Sequence, residues 1–152
     1  MTRSTETSNL MSLASRALIA LLFIPDGLAK ITGFTATVSY ISAAHLPFPE
    51  VAAVIAILVE LGLGSLLLLG WRTRWAALAM FVYVVVLPFV FHAYWSVPPD
   101  QMYGQKLQFY KDLAIAGGLL AIATWGAGGW SVDARRAMAR PQPSHDVLSA
   151  GR

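Results

Sequence analysis

"VAAVIAILVELGLGSLLLLG", residues 51–70, runs for twenty residues with a single charge, Glu60. A helix rises about 1.5 Å per residue, so about 20 mostly apolar residues cross a hydrocarbon core about 30 Å thick. The stretch therefore predicts a membrane-spanning helix with a carboxylate close to mid-membrane. A strand with open edges is excluded there, because hydrocarbon offers no partner to unpaired backbone groups.

Three more runs share this character: residues 10–33, 75–95 ("WAALAMFVYVVVLPFVFHAYW") and 107–127 ("LQFYKDLAIAGGLLAIATWGA"). Of the 152 residues, 57% are hydrophobic and 12% charged. A soluble domain carries about 25% charged residues, so most of this chain is built for lipid. The fold class expected is all-α, an integral membrane four-helix bundle. Read as a signal peptide, the first run lacks a small-residue cleavage site, and Pro25-Asp26 interrupts it. With no cysteine, the chain has no disulfide, thiolate or iron–sulfur chemistry of its own.

Orientation follows from the basic residues. With four spans, both termini and the loop at 71–74 share one side, which holds Arg3, Arg16, Arg72, Arg74, Arg135, Arg136, Arg140 and Arg152. The other side holds Lys30, Lys106 and Lys111. Arginine and lysine concentrate in cytoplasmic loops, so both termini are expected in the cytoplasm. Trp71, Trp75, Trp125 and Trp130 at the inner ends, with Tyr94, Trp95, Tyr103 and Tyr110 at the outer ends, read as interfacial belts. The expected organisation is a cytoplasmic N-terminal tail at 1–9, a transmembrane domain at 10–133 and a disordered cytoplasmic tail at 134–152. In the outer loop at 34–49, Phe34, Val38 and Ile41 recur at helical spacing and predict a brief helix. The second outer loop, "SVPPDQMYGQ" (96–105), reads as turn chemistry.

The ionisable residues of the spans gather by depth. Lys30 ends the first run, with Asp26 one turn deeper on the same face. Glu60 lies deepest. His92 stands near the outer end of the third run, and Gln108, Lys111 and Asp112 in the outer turns of the fourth. A charge at the centre of a spanning helix costs about 3 kcal/mol, so such groups turn inward and pair. Two arrangements remain open. One is a structural network in which Glu60 pairs with Lys111 and Asp26 with Lys30. The other is an outward-facing polar pocket in which Glu60 and His92 exchange protons and Asp26, Lys30, Gln108, Lys111, Asp112 and Trp95 bind a ligand or set the charge. Pro25 and Pro88 each remove a helical hydrogen bond and could shape such a cavity. Gly62, Gly64 and the small residues Ala114, Gly117, Gly118 and Ala121 permit close helix packing, and the last four could form a homodimer face. No His/Asp/Glu pair has metal-ligand spacing on one helix, and the basic tail suits lipid headgroups rather than nucleic acid.

These pieces, in order, resemble the DoxX family of small four-helix bacterial membrane proteins over residues 16–133. The matching stretches are "PDGLAK" (25–30), "LVELGLGSLLLLGWRTR" (58–74), "FHAYW" (91–95), "FYKDLAIAGGLL" (109–120) and "GAGGWSVD" (126–133). Family members usually place asparagine after the lysine, where this chain has Asp112. The resemblance implies a bacterial inner-membrane protein associated with redox systems, without a redox centre of its own. It points to an accessory or quinone-interacting subunit beside a soluble redox-enzyme partner. Two other expectations compete: a non-catalytic membrane anchor for a soluble partner, and a small transporter or proton-linked permeability factor.

Overall fold

Each apolar run folds as a helix in the computed structural model, which describes residues 2–140; no strand occurs among them. Helix α1 is Thr2–Thr32, α2 is Phe34–Ala43, α3 is Pro49–Leu69, α4 is Thr73–Phe91, α5 is Pro99–Trp125 and α6 is Val132–Met138. A single 3-10 turn, Tyr94–Ser96, links α4 to α5. Helices α1, α3 and α4 are long and apolar enough to cross a membrane. Helix α5 is long enough, but its uninterrupted apolar stretch starts only after Lys111-Asp112.

Three boundaries differ from the sequence reading. Residues 2–9, expected as a tail, belong to α1, because nothing between Thr2 and Leu10 breaks a helix. Residues 99–105, expected as turn, are the first turns of α5. Pro99 sits at the start of that helix, where its missing N–H costs nothing, and Asp100 faces the positive end of the helix dipole. Residues 134–138, expected in a disordered tail, complete α6, whose N-cap Ser131 accepts a hydrogen bond from the Ala134 N–H at 3.1 Å. Ala139 and Arg140 follow as a turn, and residues 141–152 of that expected tail lie outside the described residues.

The helices pack through small side chains. Ala76, Ala77, Met80 and Val84 of α4 meet Ala116, Leu119 and Ile122 of α5, and Phe23 of α1 and Leu67 of α3 close the cluster. In lipid, such contacts stabilise through close van der Waals fit rather than through expulsion of water. Leu18, Leu21, Leu58 and Val82 point outward and are exposed, as lipid-facing residues would be. At Gly27, α1 lies so close to α3 that a Cβ would sit 2.8 Å from Leu61 Cγ and 3.2 Å from Glu60 Cβ. Gly64 packs on Ile24 and Gly118 faces Ile19, whereas Gly62 and Gly117 face open space.

The end that collects the arginines is tied by buried hydrogen bonds. Helix α3 stops in a Schellman turn: Gly70 takes φ 69°, its N–H donates to the Leu67 carbonyl, and the Trp71 N–H donates to Leu66. Arg16, fully buried, adds a clamp. Its Nη1 donates to the Leu67 and Leu68 carbonyls at 3.2 and 2.8 Å, and its Nη2 to Trp130 at 2.7 Å. The next helix start is capped from sixty residues away. Asp133 accepts the Arg72 N–H at 2.8 Å, the Thr73 N–H at 2.9 Å and the Thr73 hydroxyl at 2.8 Å. Burial opposes the charge on Asp133, but these hydrogen bonds and the nearby Arg136 outweigh it and hold the carboxyl below the usual carboxylate range.

Two stability predictions follow from this end of the fold. Arg16→Leu leaves the Leu68 and Trp130 carbonyls without their donors and lowers stability by about 3 kcal/mol or more, read as thermal unfolding in detergent. Asp133→Ala removes a cap and costs about 1 kcal/mol. Because the Asp133 carboxyl is held low, its contribution is complete at neutral pH and fades as pH drops below about 4. The difference between wild type and Asp133→Ala should therefore shrink on acidification.

Gly27→Ala is expected to strain the α1–α3 contact by about 1–3 kcal/mol. Gly62→Ala, facing open space, leaves the unfolding temperature unchanged or raises it.

Candidate functional site

Glu60 does not sit on ordinary α-helix. Residues Leu58–Leu63 form a π-helical turn between the α-helical segments Pro49–Ile57 and Gly64–Leu69. Such a turn inserts an extra residue into the helix and re-aims the side chains it carries, a device common at functional sites. Here it turns Glu60 inward, leaving the residue only 2% exposed. Glu60 Oε2 accepts from Lys30 Nζ at 2.8 Å, and Oε1 accepts from the Tyr83 hydroxyl at 2.8 Å. Lys30, in the last turn of α1, also donates to Asp26 one turn back. Gly27 makes this reach possible, because a side chain there would push α1 off the π-helical turn. One ammonium thus serves two carboxylates, and a phenol completes the coordination of the buried one.

A second polar group lies where α4 ends against α5. His92 Nδ1 donates to Gln105 Oε1 at 2.8 Å, and His92 Nε2 stands 3.9 Å from Asp112 Oδ2. That Asp112 oxygen is buried and receives no hydrogen bond. Lys111, the next residue back, is exposed and donates to Gln108 Oε1 at 3.0 Å.

Both groups open onto one cavity of about 600 Å³. Its polar lining includes Asp26, Lys30, Glu60, His92, Gln108 and Asp112. Residues from α2 contribute as well, among them Tyr40, whose ring stacks on Phe91 with centroids 5.3 Å apart. Six of the eight residues singled out from the sequence therefore share a wall. Lys111 and Trp95 do not line it. Neighbouring residues on a helix diverge by about 100°, so with Asp112 turned inward Lys111 must turn out; Lys30, not Lys111, is the partner of Glu60. Trp95 instead packs edge-on against Tyr94 and Phe109.

Tyr83 and Gln105 are absent from the sequence-based candidates. Tyr83 had a usable signal: a phenol in mid-span, away from the ends where interfacial tyrosines collect. Gln105 had none, since its stretch read as turn. Among the described residues, no group of three His, Asp or Glu side chains is placed to hold a metal ion.

The DoxX family model matches residues 11–93. The chain is 34% identical to "Inner membrane protein YphA" of Escherichia coli (strain K12) over 123 residues, 81% of this chain and 88% of that protein. It is 35% identical to "Inner membrane protein YqjF" of the same organism over 121 residues, 80% of this chain and 88% of that protein. A more distant likeness, 28% identity over 127 residues, extends to the "Surfeit locus protein 4 homolog" of Drosophila melanogaster, covering 82% of this chain and 40% of that protein. No solved structure matches. With three helices apolar enough to span a bilayer and inner-membrane relatives over four-fifths of its length, the chain is an inner membrane protein and belongs to the DoxX family.

Proposed function

We propose that the protein is an accessory subunit of a membrane-associated redox system, with a binding site for a quinone-sized ligand in the outer half of a four-span bundle. The observation that carries this reading is the setting of Glu60: a buried carboxylate, bracketed by the Lys30 ammonium and the Tyr83 hydroxyl, on the wall of a 600 Å³ cavity. A network serving packing alone would leave no such space beside its charges. Ligand sites of about 300–1,000 Å³ typically combine apolar walls with a few convergent polar groups, and Leu22, Phe23, Leu87 and Phe91 supply the apolar part here.

The residues fit a quinone headgroup. Tyr40 and Phe91 offer ring faces, and Lys30 has three N–H donors of which two are engaged by Asp26 and Glu60, leaving one for a ring oxygen. A quinone held there would supply the electron-carrying chemistry that no residue of the chain provides. The chain's own part is to bind and orient the ring, exclude water from it, and accept or donate a proton at Glu60, which Tyr83 and Lys30 keep in place. Electrons would be exchanged with a soluble partner's cofactor.

In this reading α5 is the fourth span, its polar turns tolerated because Asp112 faces the cavity rather than lipid. Both termini lie in the cytoplasm, supported by Arg16, Arg72, Arg74 and Arg136 gathering at the opposite end from Lys30, Lys106 and Lys111. The inner half below the cavity is filled by Leu67, Met80, Leu119 and Ile122, which disfavours a through-pore in one copy. The anchor alternative would recruit its partner at the cytoplasmic face through the "RTR" loop (72–74) or the arginine-rich tail, and its mark would be loss of function on deleting either with the cavity residues intact.

Glu60→Gln keeps the shape and removes the charge. Decylubiquinone binding to the purified protein, followed by equilibrium dialysis in detergent, should weaken at least tenfold in this variant, with the fold intact by circular dichroism. Unchanged affinity in a folded variant would remove Glu60 from the site.

A further inference from the structure

The His92–Asp112 pair leaves a hydrogen bond unmade inside the cavity wall. His92 Nδ1 donates to the Gln105 carbonyl oxygen at 2.8 Å, which leaves Nε2 toward Asp112 Oδ2, 3.9 Å away and beyond hydrogen-bond distance. That oxygen is buried and without a partner. This carboxylate oxygen thus lies on the cavity wall with no donor within hydrogen-bond distance. Neither nearby lysine is bonded to it: Lys111 is turned outside onto Gln108, and Lys30 pairs with Asp26 and Glu60. A buried acceptor left unsatisfied is costly, so a ligand that brings a donor to it gains.

We propose that His92 and Asp112 form a second subsite in this cavity, one that takes a hydrogen-bond donor from the ligand, so that the site prefers an aromatic diol to the corresponding dione. The inference rests on the cavity being the ligand site described above. A hydroxyl donates to Asp112. At the other polar group, the remaining N–H of Lys30 donates to either kind of oxygen and does not discriminate. The carbonyl of a dione only adds another acceptor beside Asp112. Preference therefore arises at the α4–α5 group and binding at the α1–α3 group. Asp112→Asn is the discriminating substitution: nearly the same shape, it removes the carboxylate charge that a hydroxyl would meet and puts an N–H₂ donor in place of one acceptor oxygen.

The test compares decylubiquinol with decylubiquinone under anaerobic conditions, by equilibrium dialysis against wild type and Asp112→Asn. Wild type is expected to hold the diol at least about tenfold more tightly, the order of one hydrogen bond to a charged acceptor; Asp112→Asn is expected to bind both forms alike. Equal binding of the two forms by wild type overturns the inference and leaves the cavity reading standing. A preference that survives in Asp112→Asn overturns it too. Binding of neither form to wild type overturns the cavity reading itself, and this inference with it. The wild-type comparison alone decides the matter should the variant fold poorly.

Discussion

A carboxylate in the middle of an apolar helix is the constraint around which the rest of this molecule is arranged. Unpaired in hydrocarbon, Glu60 would cost several kcal/mol, and one partner would not be enough, because each of its oxygens needs a donor once water is gone. The fold answers from two directions: Lys30 from α1 and Tyr83 from α4. Meeting both requires α1 to lie almost in contact with α3, which Gly27 allows, and it requires Glu60 to leave the lipid-facing side of its helix, which the π-helical turn achieves. Three helices are thereby placed relative to one another by one side chain.

The opposite end is held by different means. There the difficulty is backbone rather than side chain: α3 ends and α4 begins within a few residues, and both termini leave polar groups to be satisfied. Arg16 covers carbonyls and Asp133 covers N–H groups, each brought from a distant part of the chain. With that end fixed and packed solid, the cavity is confined to the other half, where α2 and the α4–α5 connection complete its wall. The two ends therefore differ: one is tied and packed, the other holds the space.

The helices and most of the polar set were legible in the sequence because lipid penalises charge so strongly that each exception is informative. Asp26, Lys30, Glu60, His92 and Asp112 stood out as exceptions, and they share one cavity. The pairing was not legible. Whether Glu60 meets Lys30 or Lys111 depends on which helices are neighbours and on the local winding of α3, and a π-helical turn leaves no mark in an apolar run. The helical ends were missed for a related reason: Thr2–Asn9 and Pro99–Gln105 are polar, and polarity argues for loops only when nothing else tells where a helix starts. Tyr83 carried one mark, a phenol in mid-span, although its ring blends into the apolar run around it.

The pairing of Glu60 is therefore the point on which the account is most exposed, and a double-mutant cycle measures it directly. Unfolding free energies in detergent would be compared for Lys30→Met, Glu60→Gln and the double variant, with Lys111→Met in place of Lys30→Met as the second cycle. A coupling of about 0.5–3 kcal/mol between Lys30 and Glu60, with none between Lys111 and Glu60, is the result the geometry predicts. Coupling to Lys111 and none to Lys30 would contradict it, and the site built on Glu60 would have to be redrawn.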